Sequence, residues 1–226
     1  MKFLIVQIND SHAHNGPTFN ELAKITNKST KEYCELHGYD YLFLDKNPDP
    51  TRQISWGRTF LVKENFSKYD FILCMDSDAM IINHTIKLEH LIDERYSVIV
   101  AANEGKIDRI NTGVILWQTT SFSEHLIDRM YLDGEFANKG YWEQSTLIKL
   151  ILNNPELLKN IKIVHPRFMN GMYHYWFGSE NFCHGDFILH LCGSDNDYRF
   201  NCLTEMSRYI IRPIPNIQEL IPIWNK

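Results

Sequence analysis

The sequence predicts an α/β fold, a mixed, mostly parallel sheet with helices on both faces. Three observations carry that reading. Apolar β-type runs alternate with helix-type segments through the first half, as in strand–helix–strand units. The run Phe71-Ile72-Leu73-Cys74-Met75 is apolar throughout and long enough for a buried strand. It ends in Asp76-Ser77-Asp78, and ligands of such sheets bind beyond the carboxyl ends of the strands.

The elements run in order along the chain. Lys2 to Ile8 reads as the first strand and Asn9 to Pro17 as a polar loop. Thr18 and Glu21 have capping-box spacing. The helix they would open carries Leu22, Ile25, Tyr33 and Leu36 and stops at Gly38. Tyr39 to Leu44 is a second strand. Asp45 to Ile54, with Pro48 and Pro50, is a loop. Ser55 to Phe66 reads as helix, and the strand ending at Asp76 comes next. Met80 to Ile82 is a short strand, Ile86 to Ile92 a helix and Ser97 to Ala102 a strand. Asn111-Thr112-Gly113 reads as a turn leading into a strand over Val114 to Gln118. Ser121 and Glu124 form a second capping box for a helix to about Leu132. Gly134 to Gly140 is a loop, Trp142 to Asn153 a helix, and Ile161 to Val164 a strand. An irregular aromatic stretch, Met169 to Gly185, precedes a short strand at Phe187 to His190. A last helix is expected near Leu203 to Ile210, then an extended arm from about residue 211 with Pro213, Pro215 and Pro222.

The 226 residues are expected to form a single domain. Hydrophobic content of 44% and charged content of 23% are globular values. A net charge of -5 argues against a nucleic-acid partner, which would call for a basic patch. Cys34, Cys74, Cys183, Cys192 and Cys202 are odd in number and widely spaced, so reduced thiols are expected. No apolar run approaches the roughly 20 residues of a membrane-spanning helix, and the start is too short and too weakly basic for a signal peptide. A cytoplasmic location is the expectation, and the sequons at Asn27 and Asn83 read as coincidence.

The chemistry centres on Asp76 and Asp78. Residues i and i+2 of an extended segment point the same way, so both carboxylates can serve one side of a strand end. That suits a hard divalent cation with open positions for substrate phosphates. The plain alternative is two solvated aspartates.

The segments Trp56-Gly57-Arg58, Tyr69-Asp70 with Asp76-Ser77-Asp78-Ala79, Asn111-Thr112-Gly113-Val114, Glu143-Gln144, and Asp186-Phe187-Ile188-Leu189-His190-Leu191-Cys192-Gly193 occur in this order. Taken together, from about Lys2 to Gly193, the chain resembles the galactosyl/mannosyl/xylosyltransferase group of GT-A glycosyltransferases (glycosyltransferase family 34-like). The resemblance implies a GT-A, Rossmann-like fold and transfer of a hexose-type sugar from a nucleotide-diphosphate donor, a UDP-sugar, to a glycan hydroxyl with retention. It also implies Mn2+, or Mg2+, as cofactor. Asp76 and Asp78 would be the acidic metal motif and His190 the third ligand; alone, His190 would read as a core histidine. Gln144 and Glu143 are the implied catalytic residues beside the transferred sugar, although Glu is also ordinary near a helix start. Gln7, Asn9, Arg58, Ser77, Asn111, Thr112, Gly113 and Gly193 are the expected substrate-binding positions. The first strand end, Gln7 to Asp10, would hold the nucleoside base. Backbone amides near Gly193 could approach a phosphate, and Tyr173, Tyr175 and Trp176 could stack on an acceptor sugar.

The chain departs from the family in two places. Trp142-Glu143 stands where members often carry two acidic residues, and the membrane anchor and stem of eukaryotic members are not apparent. Two rival readings are a phosphoryl-transfer hydrolase with Asp76 as nucleophile and a non-catalytic nucleotide-sugar-binding protein. The hydrolase motif usually comes after the first strand, whereas Asp76 comes after about the third.

Overall fold

In the computed structural model, which describes residues 1–10, 16–173 and 181–213, the first strand β1 (Phe3–Ile8) is buried along its whole length. Alternation divides its side chains between two cores. Leu4 and Val6 enter one cluster, and Phe3 and Ile5 enter the other. Helix α1 (Gly16–His37) follows and ends before Gly38, whose φ of 72° suits glycine. The helix begins at Gly16, ahead of Thr18, so the Thr18–Glu21 spacing does not mark its start. Next come β2 (Asp40–Leu44), α2 (Ser55–Asn65), β3 (Phe71–Met75) and β4 (Ala79–Ile81). The helix expected over 86–92 is only a 3-10 turn at Leu88–Leu91.

Strands β5 (Val98–Ala102) and β6 (Ile110–Gln118) then pair antiparallel. The expected turn Asn111-Thr112-Gly113 lies inside β6. A register shift between Val100 and Ala101 lets the ladder continue, pairing Ala101 with Asn111 and Ala102 with Ile110. Helix α3 (Ser121–Asp133) is capped by Thr120, whose side chain accepts from the Ser123 amide, rather than by a Ser121 box. Helix α4 (Trp142–Asn153), strand β7 (Ile161–Val164), the short α5 (Pro166–Met169) and strands β8 (Gly171–Met172) and β9 (Ile188–His190) complete the site-bearing part. Helix α6 (Asn196–Met206) starts earlier than expected because Asp195 caps it, accepting from the Tyr198 amide. A 3-10 turn at Ser207–Tyr209 comes after it. Most of the expected C-terminal arm, including Pro215 and Pro222, lies outside the described residues, as do Tyr175 and Trp176.

Among the described residues the main sheet has the order β2-β1-β3-β6-β5-β7. Only β6 runs antiparallel to its neighbours; the other pairs are parallel. One face packs on α2, α3 and α4 through Trp56, Val62, Leu126, Ile127, Leu147 and Ile151. The other packs on α1 through Tyr33 and on a second, three-stranded sheet, β4-β9-β8. The back of that small sheet is closed by Leu22 of α1 and Leu203 of α6. Each fully buried Leu, Ile or Met in these layers stabilises by about 1.5–3 kcal/mol relative to exposure. Two sheets and two helical faces therefore meet where β1 and β3 end and β6 begins.

Candidate active site

Asp76 and Asp78 stand just past the end of β3, and β4 begins at Ala79. The turn between them is held from below. Gln7 Nε2 donates to the Asp76 and Ala79 carbonyls at 3.0 and 3.2 Å, and Gln7 Oε1 accepts from Tyr41 Oη at 3.0 Å. Ser77 Oγ donates to the Ile8 carbonyl, while the Ser77 carbonyl accepts from Thr26 Oγ1 at 2.7 Å. Gln7 is fully buried and Ser77 nearly so. Both residues were expected to bind substrate, and their side chains brace the acidic turn.

His190 ends β9, where the antiparallel ladder sets it opposite Ala79. Its Nε2 lies 3.5 Å from Asp76 Oδ2 and 3.4 Å from Asp78 Oδ1. Ligand atoms of the three side chains all lie within 4.8 Å of one another. Atoms on adjacent corners of an octahedron with bonds of about 2.1 Å are about 3 Å apart, so the spacing fits one small cation. Two carboxylates suit Mn2+ or Mg2+, and the imidazole suits a transition ion such as Mn2+ better than Mg2+.

Gly113 makes the approach of these groups possible. A Cβ there would lie 2.0 Å from His190 Cε1 and 2.7 Å from Asp76 Oδ2. The glycine read as a turn residue is a close-contact residue inside a strand.

Arg58, on α2, is only 3% exposed. Its Nη2 lies 3.0 Å from Asp76 Oδ1 and 2.9 Å from Glu143 Oε1, and its Nη1 donates to the Thr112 carbonyl at 2.9 Å. Burial by itself would lower the pKa of the guanidinium, but Asp76 and Glu143 outweigh it and raise it. Arg58 was expected to bind substrate; its guanidinium is an internal counter-ion for the site's carboxylates. Glu143 is equally engaged. It is 5% exposed, and Oε1 also accepts from Thr112 Oγ1 at 3.0 Å. Gln144, beside it, is half-buried, and its Oε1 accepts from the Thr112 amide at 3.2 Å. Thr112 thus joins β6 to the start of α4. The helix enters through Trp142 at φ 52°, a strained conformation for a bulky residue that fixes the direction of Glu143 and Gln144.

The two aspartates differ electrostatically. Burial opposes ionisation of Asp78, but His190 and Arg199 prevail and bring its carboxyl to about 2. Arg199 Nε lies 3.1 Å from Asp78 Oδ2. Burial raises the pKa of Asp76, Arg58 opposes that rise and Asp78 adds to it. A third of the Asp76 side chain nevertheless reaches solvent, so it is the open corner of the cluster.

Asn9 sits at the end of β1, 3% exposed, with Nδ2 2.7 Å from Asn20 Oδ1. Its Oδ1 is buried without a hydrogen-bond partner among the described residues. Gly193 is exposed, at φ 74°, in the turn after β9. Tyr173 is 43% exposed, and its backbone amide donates to the His190 carbonyl at 3.3 Å. Two residues were missed: Arg199, and Asn170, which is fully buried with Oδ1 2.9 Å from His190 Nδ1. Neither lies in a local pattern that marks it; each is brought in by long-range packing.

The model of the galactosyl transferase GMA12/MNN10 family matches residues 1–103, which include Arg58, Asp76 and Asp78. An alpha-1,2-galactosyltransferase of Schizosaccharomyces pombe is 21% identical over 224 residues, covering 80% of this chain and 58% of the relative. The chain therefore spans little more than half of that relative's length. A solved glycosyltransferase involved in the glycosylation of the major capsid of PBCV-1 has a TM-score of 0.72 at 18% identity, covering 91% of this chain and all of that one. The galactosyltransferase LgtC, solved with donor and acceptor sugar analogs, has a TM-score of 0.57 at 16% identity, covering 94% of this chain and 98% of that one. The GT-A fold is borne out, as is the resemblance to the galactosyl/mannosyl/xylosyltransferase group, which the family model carries over residues 1–103. Among the described residues no helix is long and apolar enough to cross a membrane.

Proposed function

We propose that the chain transfers a hexose-type sugar from a UDP-sugar to a glycan hydroxyl, with retention and with a divalent cation, Mn2+ or Mg2+. The observation that carries this reading is the cluster of Asp76, Asp78 and His190 at the carboxyl ends of the sheet. When bound, the cation would neutralise charge on the diphosphate as it departs. The protein's own residues do the rest. Arg58 favours the ionised form of Asp76 and orients it, and Gly113 leaves room for it beside His190. Asn9 offers a buried acceptor to the nucleoside, and the turn at Gly193 offers backbone amides to a phosphate.

Retention is supported by the state of Glu143. An inverting enzyme needs a base on the face opposite the leaving group. Glu143 is the carboxylate nearest Gln144 in sequence; its Oε1 is taken by Arg58 and Thr112, and its Oε2 is buried away from solvent. A front-face reaction needs no such base. The acceptor oxygen bonds to the anomeric carbon as the bond to the phosphate oxygen breaks, and the acceptor proton passes to that oxygen. Gln144, anchored by the Thr112 amide, presents an uncharged amide oxygen that can stabilise the cationic sugar.

The test is a panel of nucleotide sugars with Mn2+, read by thermal shift and by donor hydrolysis, then NMR of the first-formed product. One donor should stabilise the protein and be hydrolysed only with metal. Full turnover in EDTA would sink the metal reading. Release of phosphate from a phosphomonoester would favour the hydrolase, binding without turnover would favour the non-catalytic protein, and a β-linked product from an α-linked donor would overturn retention.

A further inference from the structure

We propose that Asn170 is a positioning residue that fixes the ring proton of His190 on Nδ1 and so aims the Nε2 lone pair at the two aspartates; this rests on the metal-site reading above. Asn170 lies between α5 and β8 and has no exposed surface. Its Nδ2 is 2.9 Å from Asn111 Oδ1 and 3.3 Å from the Asn111 carbonyl, and its Oδ1 is 2.9 Å from His190 Nδ1. The two ends of an amide are assigned from the network around them, and this network has one solution. The Asn111 carbonyl can only accept. Asn111 Oδ1 is fixed as an acceptor because it takes the Gly113 amide at 2.9 Å. The NH2 end of Asn170 must therefore face Asn111, which turns its oxygen toward the ring. An amide oxygen only accepts, so Nδ1 must donate. In the neutral imidazole that leaves Nε2 as the free lone pair, and Nε2 is the atom facing Asp76 and Asp78.

Asn170 is needed because the carboxylates pull the other way. Two acceptors 3.5 and 3.4 Å from Nε2 favour a proton on that nitrogen, where a cation would have to displace it. A hydrogen-bonded outer partner of this kind orients a metal-binding histidine and raises its basicity. Here the string runs from the Gly113 amide through Asn111 and Asn170 to His190. It ties Asn111, an expected substrate-binding position, to the side chain expected to face the metal.

The test has two parts. First, 15N NMR of histidine-labelled wild-type protein, without metal and with Mg2+, should show His190 protonated at Nδ1 in both states, with Nε2 unprotonated once the cation is bound. Second, Mn2+ titrations followed by EPR should compare wild type, Asn170→Ala, His190→Ala and the double variant. Asn170→Ala should weaken Mn2+ binding by about 10- to 100-fold, with little further loss in the His190→Ala background. A ring without a proton at Nδ1 in the wild type would overturn the proposal, as would an equal loss in both backgrounds or full affinity for Asn170→Ala. If the wild type binds no Mn2+, the metal reading falls, and the NMR result judges Asn170 by itself. The same NMR result decides should Asn170→Ala fail to fold.

Discussion

Gly113→Ala adds one methyl group at the closest approach in the site. The new Cβ would fall 2.0 Å from His190 Cε1, 2.7 Å from His190 Nδ1 and 2.7 Å from Asp76 Oδ2, against an ordinary contact of 3.4 Å or more. The ring would have to retreat by well over one ångström. It has little room, being 1% exposed and hydrogen-bonded to Asn170. Metal sites tolerate about 0.2 Å of error in ligand distance, so His190 would be lost as a ligand. The backbone does not oppose the change, because Gly113 has no positive φ and alanine suits a strand better than glycine. Overpacking should cost about 1–3 kcal/mol of stability, and Mn2+ affinity should fall at least as far as in His190→Ala. Denaturant unfolding and Mn2+ titration by EPR read the two effects. Gly38→Ala is the control. Its φ of 72° makes it costly, but nothing lies within 4 Å of the added carbon, so stability should fall with metal binding intact. Wild-type Mn2+ affinity in Gly113→Ala would refute the reasoning.

Three further outcomes are expected. Arg58→Met should destabilise by about 3–5 kcal/mol, because it leaves Glu143 charged and buried without its partner; a loss under about 1 kcal/mol in urea unfolding would show that other groups carry that charge. Gln144→Ala should lower kcat far more than donor affinity, since its contact strengthens only in the transition state; equal losses in both would make it a simple binding residue. Burial, aided by Arg212, depresses the pKa of His84 to about 4, against an unfolded value of about 6.5. The unfolded chain then takes up the proton first as pH falls. Stability is fully retained above about pH 6.5 and declines toward pH 4, by on the order of 2–3 kcal/mol. His84→Gln should flatten that window in urea melts at pH 7 and 4.5, and an unchanged slope would exonerate the histidine.

The fold and the acidic core of the site were legible for a local reason. An unbroken apolar run announces β3, and residues just past a strand's carboxyl end face the ligand side of the sheet. His190 was legible only through the resemblance, since an apolar strand ending in histidine has a plain core reading. The roles of Arg58, Gln7 and Glu143 were not legible. Nothing near Arg58 tells that it will lie against a carboxylate from α4, and a glutamine at a strand end looks the same whether it faces substrate or a buried carbonyl. Asn111-Thr112-Gly113 misled for a different reason: Asn and Gly favour turns, but the register shift opposite them in β5 kept the ladder going. Thr120, not Ser121, caps α3 because two adjacent hydroxyl residues compete and the extended backbone of Thr120 decides. Asn170 acts only through partners that the sheet brings together.

His190 reaches the aspartates through a very short ladder. Only three pairs join β4 to β9: Ala79 with His190, Met80 with Leu189 and Ile81 with Ile188. Side chains alternate along a strand, so a slip of one residue there would turn the imidazole to the opposite face and bring Leu189 or Leu191 toward the carboxylates. A cation held by all three groups binds only the in-register form, and ligand linkage then favours that form over every slipped one. The ion that serves the reaction would thus also select the pairing of a strand that arrives more than a hundred residues after the first aspartate.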